Sequence, residues 1–450
     1  MKTILRNATL VNEGKQGVSD VLISKQRIEK IAPNIGVDPR QQFTEINAEG
    51  KILLPGMIDD QVHFRDPGLR HKASIYSESR AAVAGGITSF MDMPNTIPNT
   101  LSLELLEEKY RLASQTSLAN YSFFMGISKG NLEEALRIDN ERVCGITDDG
   151  LYFNDDEGIL ANYPDFLEQL FRRSESLVAL HSEDDAIIHA QTQRYMAQFG
   201  KEIPSAFHTK IRTTEACVTA TKRVLDLAKK TNVRLHFFHI STGDEAALFE
   251  ANEQVRAKRI TAEACVHHLI FNEEDYAALG DRIKWNPSIK TKSDNERLLK
   301  ALLENRLDII ATDHAPHTWE EKTGNYFEVK SGGPLVQHAL LALIELYLDG
   351  KWSLEKLVQK TSHHVAELYR MVDRGYLREG YFADMVLIDL EKETKVDKSQ
   401  LLYHCQWSPF EGTVFRSSIH QTWVNGALVY DQGRFPSAEN GLRMSFEKIR

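Results

Sequence analysis

Long hydrophobic runs are missing from this chain of 450 residues. No stretch approaches the roughly 18 apolar residues that a membrane-spanning helix needs. Cysteine is scarce as well: Cys144, Cys217, Cys265 and Cys405 stand far apart with no paired spacing. That argues against a disulfide framework and suits free, buried thiols in a reducing compartment. Positive charge is in deficit, 54 Lys and Arg against 64 Asp and Glu for a net charge of −10. General attraction to nucleic acid or to an anionic membrane is therefore disfavoured. The start, Met1-Lys2-Thr3-Ile4-Leu5-Arg6-Asn7, alternates and acquires charge too early for the apolar core of a signal peptide. No short repeat, low-complexity tract or Pro/Gly/Ser linker interrupts the chain. The expectation is a cytoplasmic protein with neither a nucleic-acid nor a membrane partner.

What is present is a large apolar fraction, 42% of residues, enough to bury a substantial core. The stretch Ala311-Thr312-Asp313-His314-Ala315-Pro316-His317 places a carboxylate and two imidazoles after the apolar run Leu307-Asp308-Ile309-Ile310. Such a run reads as a buried parallel strand with Asp313 at its carboxyl end. A second stretch, 55–65, likewise ends an apolar strand in His63 and Arg65. Further strands are expected at 87–91, 177–180 and 234–238, alternating with amphipathic helices at 102–112, 214–230 and 293–304. This alternation implies a parallel sheet, and its length fits an eight-fold barrel with insertions.

Both ends of the chain differ in texture, with short alternating strands near 9–11, 20–23, 51–54, 383–389 and 421–430. The fold class expected is therefore α/β, a (β/α)8 TIM-like barrel at 54–373. A small β-sandwich domain would be formed from both termini, 1–53 and 374–450.

Five strand-like runs end in a residue able to bind metal: His63, Asp149 beside Asp148, His181, His239 and Asp313. Each alone has an ordinary reading, a satisfied structural histidine, a helix cap or a turn. Together, at the end of a barrel where chemistry is done, they point to a metal-dependent hydrolase.

The chain resembles the dihydroorotases of the amidohydrolase superfamily over essentially its whole length. The resemblance is carried by 311–322 (ATDHAPHTWEEK), 63–68, Met93-Pro94-Asn95-Thr96, Thr147-Asp148-Asp149-Gly150 and His181-Ser182-Glu183-Asp184. His239-Ile240-Ser241-Thr242, Ala262-Glu263 with His267-His268-Leu269, Trp285-Asn286-Pro287 and 375–386 extend it. It implies that His63, Asp149, His181 and His239 are metal ligands, with Asp149 as the bridging carboxylate. No lysine stands at that strand end to be carboxylated, which weakens a hydantoinase reading. Asp313 resembles the residue that touches metal and shuttles the proton. Arg65, Asn95 and His317 resemble the clamp on a substrate carboxylate, and Asn286 falls where the family contacts the ring. One or two Zn2+ per chain are implied, with reversible ring opening of dihydroorotate to carbamoyl aspartate in pyrimidine biosynthesis.

One departure stands out. The family's first signature has two histidines one residue apart, and the first is Gln61 here. Residues two apart on a strand share a face, so Gln61 still faces the metal region, where a neutral amide is a poorer ligand than imidazole. Weaker occupancy of one metal position is therefore expected. Two other readings stay open: a noncatalytic dihydroorotase-like partner of aspartate transcarbamoylase, and another cyclic-amide hydrolase such as an allantoinase. A homodimer is the expected assembly. His267-His268 and His363-His364 read as structural, Cys144, Cys217 and Cys265 as buried core thiols, and His314 as support behind the site. Gly332-Gly333-Pro334 reads as a close backbone approach to the substrate or as a plain turn.

Overall fold

Apolar strands separated by capped amphipathic helices close on themselves in the computed structural model, which describes residues 2–36, 40, 42–151, 160–437 and 440–448. Five strands come first: β1 (Lys2–Asn12), β2 (Lys15–Ser24), β3 (Arg27–Ala32), β4 (Phe43–Asn47) and β5 (Ile52–Pro55). After them come β6 (Met57–Val62), β7 (Ile87–Asp92), β8 (Asn120–Phe123), β9 (Met125–Gly126), β10 (Ile146–Thr147), β11 (Val178–Leu180), β12 (Leu235–Phe237), β13 (Ile260–Cys265) and β14 (Ile309–Ala311). All pairings among β6 to β14 are parallel. β8 and β9 are one stretch broken at Phe124, so the ring has eight positions. It closes where the His63 N–H donates to the His314 carbonyl at 2.7 Å.

The barrel strands are buried on both faces, as a parallel sheet covered by helices must be. Their helices start where the sequence supplies caps. Ser102 caps Leu103–Thr116, Thr213 caps Thr214–Thr231, and Thr291 with Asp294 forms a capping box on Lys292–Leu303. No helix is long and apolar enough to cross a membrane among the described residues.

Strands from both ends of the chain share the other sheet. β15 (Met385–Asp389) lies between β5 and β18 (Ser418–Val424), and β19 (Ala427–Asp431) closes that edge; β16 (Thr394–Lys395) and β17 (Val414–Phe415) form a short ribbon. One core cluster joins Leu5, Val21, Leu53, Met385, Leu387 and Trp423. The fold is thus a (β/α)8 barrel with a small β-sandwich domain built from both termini.

Two barrel strands were not expected from the sequence, β8 to β9 and β13. The first carries Asn120, Ser122 and Gly126; the second, Ile-Thr-Ala-Glu-Ala-Cys, has no apolar run because Glu263 points into the barrel and bonds other strands there. Interior polar residues erase the pattern that marks a buried strand.

Candidate metal centre and active site

His63 follows β6 by one residue, Asp149 follows β10 by two, His181 follows β11 by one, and His239 and Asp313 follow β12 and β14 by two. All five are buried at the carboxyl end of the barrel. Three site residues hold left-handed backbone, Arg65 at φ 64°, His239 at φ 37° and Asp313 at φ 47°. Each such conformation costs about 1–3 kcal/mol and persists only where the surroundings enforce it. The turn redirects the chain immediately after the strand.

Asp149, His181 and His239 form one of two metal-competent groups among the described residues. His181 Nδ1 lies 3.0 Å from His239 Nε2. Asp149 Oδ1 lies 3.8 Å from the first and 3.7 Å from the second. A triangle with these sides has its centre about 2.0 Å from each corner, the bond length zinc takes to nitrogen and to carboxylate oxygen. The donor set fits a divalent metal.

The electrostatics agree with that geometry. Burial alone would raise the Asp149 carboxyl, yet His239 and His63 hold it well below the usual carboxylate range. Burial pulls both imidazoles down, but Asp149 holds His239 up at about 8, and Asp149 with Asp313 holds His63 up at about 9. The anion is the hub of the cluster.

His63 lies beside this trio. Its Nε2 is 3.1 Å from Asp313 Oδ1 and 3.3 Å from Asp149 Oδ2, and its Nδ1 is 2.9 Å from Asn95 Oδ1. Gln61 faces the same region through its nitrogen: Nε2 donates to Asp149 Oδ2 at 3.2 Å, and Oε1 accepts from the Cys265 thiol at 3.4 Å. Its amide therefore braces the carboxylate.

A cavity of about 170 Å³ opens above these residues, lined also by Arg65, Asn95, Asn286 and His317. Arg65 donates to the Pro316 carbonyl at 3.2 Å and lies 3.2 Å from His317 Nε2. The neighbouring Asp66 pairs instead with Arg70 at 2.6 Å, which leaves Arg65 to the cavity. Asn286 Oδ1 lies 3.1 Å from His208 Nε2. Gly150, at φ 74°, is required here, because a Cβ would lie 2.3 Å from Asn95 Nδ2. Gly332 lines the cavity at φ 118°, and a Cβ on it would lie 2.6 Å from the Ala315 carbonyl oxygen. The segment packs closely on Ala315 and also lines the cavity, where the expected close approach would be to the substrate.

Several residues at the site carried no expectation from the sequence. Lys72 lines the cavity, with Nζ 3.4 Å from His317 Nδ1 and 2.8 Å from Glu321; Lys330 lines it too. Neither lies at a strand end, so only the folded loops reveal them. Glu183 was legible as part of a motif and not as a role: its Oε2 lies 2.8 Å from His181 Nε2 and also pairs with Arg212. It fixes the ring so that Nδ1 faces Asp149. Replacing it with Gln is expected to weaken metal affinity by about 10- to 100-fold with little change in fold, read by chelator competition and circular dichroism. His314 sits behind the site as expected, with Nε2 3.0 Å from Glu78 Oε2 and Nδ1 accepting from the Leu335 N–H at 2.9 Å.

Comparison with known proteins extends these observations. The sequence pattern of the amidohydrolase family matches residues 52–429. A dihydroorotase of Carboxydothermus hydrogenoformans is 31% identical over 434 residues, covering 95% of this chain and 97% of its own. An allantoinase of Desulfitobacterium hafniense is 29% identical over 453 residues, covering 98% of each. Among solved structures, the L-hydantoinase (dihydropyrimidinase) from Arthrobacter aurescens matches with a TM-score of 0.90 at 25% identity, over 98% of this chain and 99% of that one. With its barrel, its buried donor set and this match across most of its length, the chain belongs to the amidohydrolase family and is a hydrolase.

Proposed function

We propose that this hydrolase is a dihydroorotase, with zinc held by Asp149, His181 and His239. The observation that carries the reading is the charge of the cavity. Arg65, Lys72 and Lys330 line it beside His317, against the carboxylates Asp149 and Asp313 of the metal cluster; Glu321 pairs with Lys72. A ring bearing a carboxylate suits that end, and Arg offers a two-pronged match to it. Neutral rings such as hydantoin or allantoin bring no carboxylate to Arg65.

When bound, the metal supplies Lewis-acid polarisation of the ring amide and acidifies the attacking water. Asp313, 3.1 Å from His63, takes the water proton and delivers it to the leaving amide nitrogen. Arg65, Asn95 and His317 hold the carboxylate, and Asn286 contacts the ring. Gln61 and His63 fix the orientation of Asp149 and Asp313 by hydrogen bonding.

The test is turnover of dihydroorotate, hydantoin and allantoin by zinc-loaded protein, alongside an Arg65→Met variant. The expected result is a preference for dihydroorotate and a KM for it raised about 10²-fold in the variant, the scale of an unpaired buried charge. Equal loss on all three rings would remove the carboxylate from the argument. No turnover of any ring in zinc-loaded protein would favour a noncatalytic role.

A further inference from the structure

A second set of ligand atoms lies inside the barrel, apart from the Asp149 trio: Asp60 on β6, His236 on β12 and Glu263 on β13. All three residues are completely inaccessible to solvent. His236 Nε2 is 2.9 Å from Glu263 Oε2 and 3.5 Å from Asp60 Oδ2.

The hydrogen bonds around these atoms are compatible with their presenting lone pairs to a metal. The Thr261 hydroxyl lies 3.3 Å from the Leu235 carbonyl and 2.9 Å from His236 Nδ1; with its proton given to the carbonyl, its oxygen accepts from Nδ1. A neutral His236 then carries its lone pair on Nε2, the nitrogen that faces both carboxylates. Glu263 Oε1 accepts the His239 N–H at 3.1 Å, which leaves Oε2 aimed at His236. Tyr369 donates to Asp60 Oδ2 at 2.8 Å, whereas Asp60 Oδ1 is buried with no hydrogen-bond partner.

Three electron-pair donors thus converge, two of them carboxylates. Among the described residues no lysine or arginine forms an ion pair with either; His236 is the one basic group that reaches them. Buried carboxylates are tolerated when paired or when they coordinate a metal. One imidazole and two carboxylates form a donor set for zinc, manganese or ferrous iron.

We propose that Asp60, His236 and Glu263 bind a divalent transition-metal ion inside the barrel, distinct from the centre at Asp149, His181 and His239. The ion ties β6 to β12 and β13 across the interior. Through Glu263 it also holds the backbone of His239, a residue of the upper centre.

Metal-stripped full-length protein is reloaded with Zn2+ or Mn2+, and bound metal per chain is counted for wild type, Glu263→Gln and His239→Asn. Glu263→Gln is expected to bind one ion fewer than wild type while keeping the upper one; His239→Asn is expected to keep the ion that Glu263→Gln loses. Equal metal content in Glu263→Gln and wild type overturns the proposal. Should the variants fail to fold, anomalous diffraction from wild-type crystals soaked in Mn2+ decides. A peak within bonding distance of all three side chains supports it; a peak at the Asp149 centre alone overturns it, and a shared proton then occupies the cluster. Dihydroorotate turnover is read separately, so a chain with both peaks and no turnover would sink the activity reading and leave this one standing.

Discussion

Asp313→Asn is expected to lower kcat for dihydroorotate by about 10³-fold, roughly 4 kcal/mol of barrier, while KM changes little. The substitution keeps the shape and the hydrogen-bonding edge toward His63 Nε2, 3.1 Å away, and removes only the capacity to accept and return a proton. Backbone contacts favour retention of the local structure, since Trp285 Nε1 donates to the Asp313 carbonyl at 3.3 Å and the His314 N–H to Thr312 Oγ1 at 3.0 Å. Zinc per chain must be measured on the same sample. Unchanged zinc with lost turnover assigns the loss to proton transfer, and kcat within tenfold of wild type would remove Asp313 from the mechanism.

The strand-end residues were legible in the sequence because chain chemistry and barrel geometry coincide there. An apolar strand announces itself, and the residues just past its carboxyl end must sit at the mouth of the barrel. His63, Asp149, His181, His239 and Asp313 each come within two residues of the end of such a strand, and the structure places the three histidines around Asp149, with Asp313 joined to them through His63. Loop residues escaped this logic. Lys72 lies nine residues beyond His63, and the tertiary path of its loop alone brings it to His317 and Glu321.

Strict alternation also failed at one informative place. Between Asp59 and Val62, three steps along β6 match two along β7, so the strand carries an extra residue. That bulge lets Asp60 and its neighbour Gln61 both face the interior, one toward His236 and the other toward Asp149. A period of two assigns them to opposite faces and so hides Asp60. The same interior polarity disguised β13, whose Glu263 faces His236.

Asp149→Asn is expected to weaken zinc binding by about 10²-fold or more, since removing one partner of a buried charge cluster costs ~3 kcal/mol or more. It should also change how binding depends on pH, which separates this residue from a merely structural one. In wild type, Asp149 holds His239 up at about 8 against the pull of burial. Below that pH the imidazole is protonated in metal-free protein, and zinc must displace the proton to bind. Wild-type affinity therefore rises about tenfold per pH unit up to about 8 and then flattens. Without the carboxylate, burial dominates and pulls His239 down, so the imidazole is already neutral near pH 7. The variant should bind zinc weakly with little pH dependence between about 7 and 8. Chelator competition from pH 6 to 9 measures both quantities, and a wild-type slope in the variant would mean that Asp149 does not set the protonation of His239.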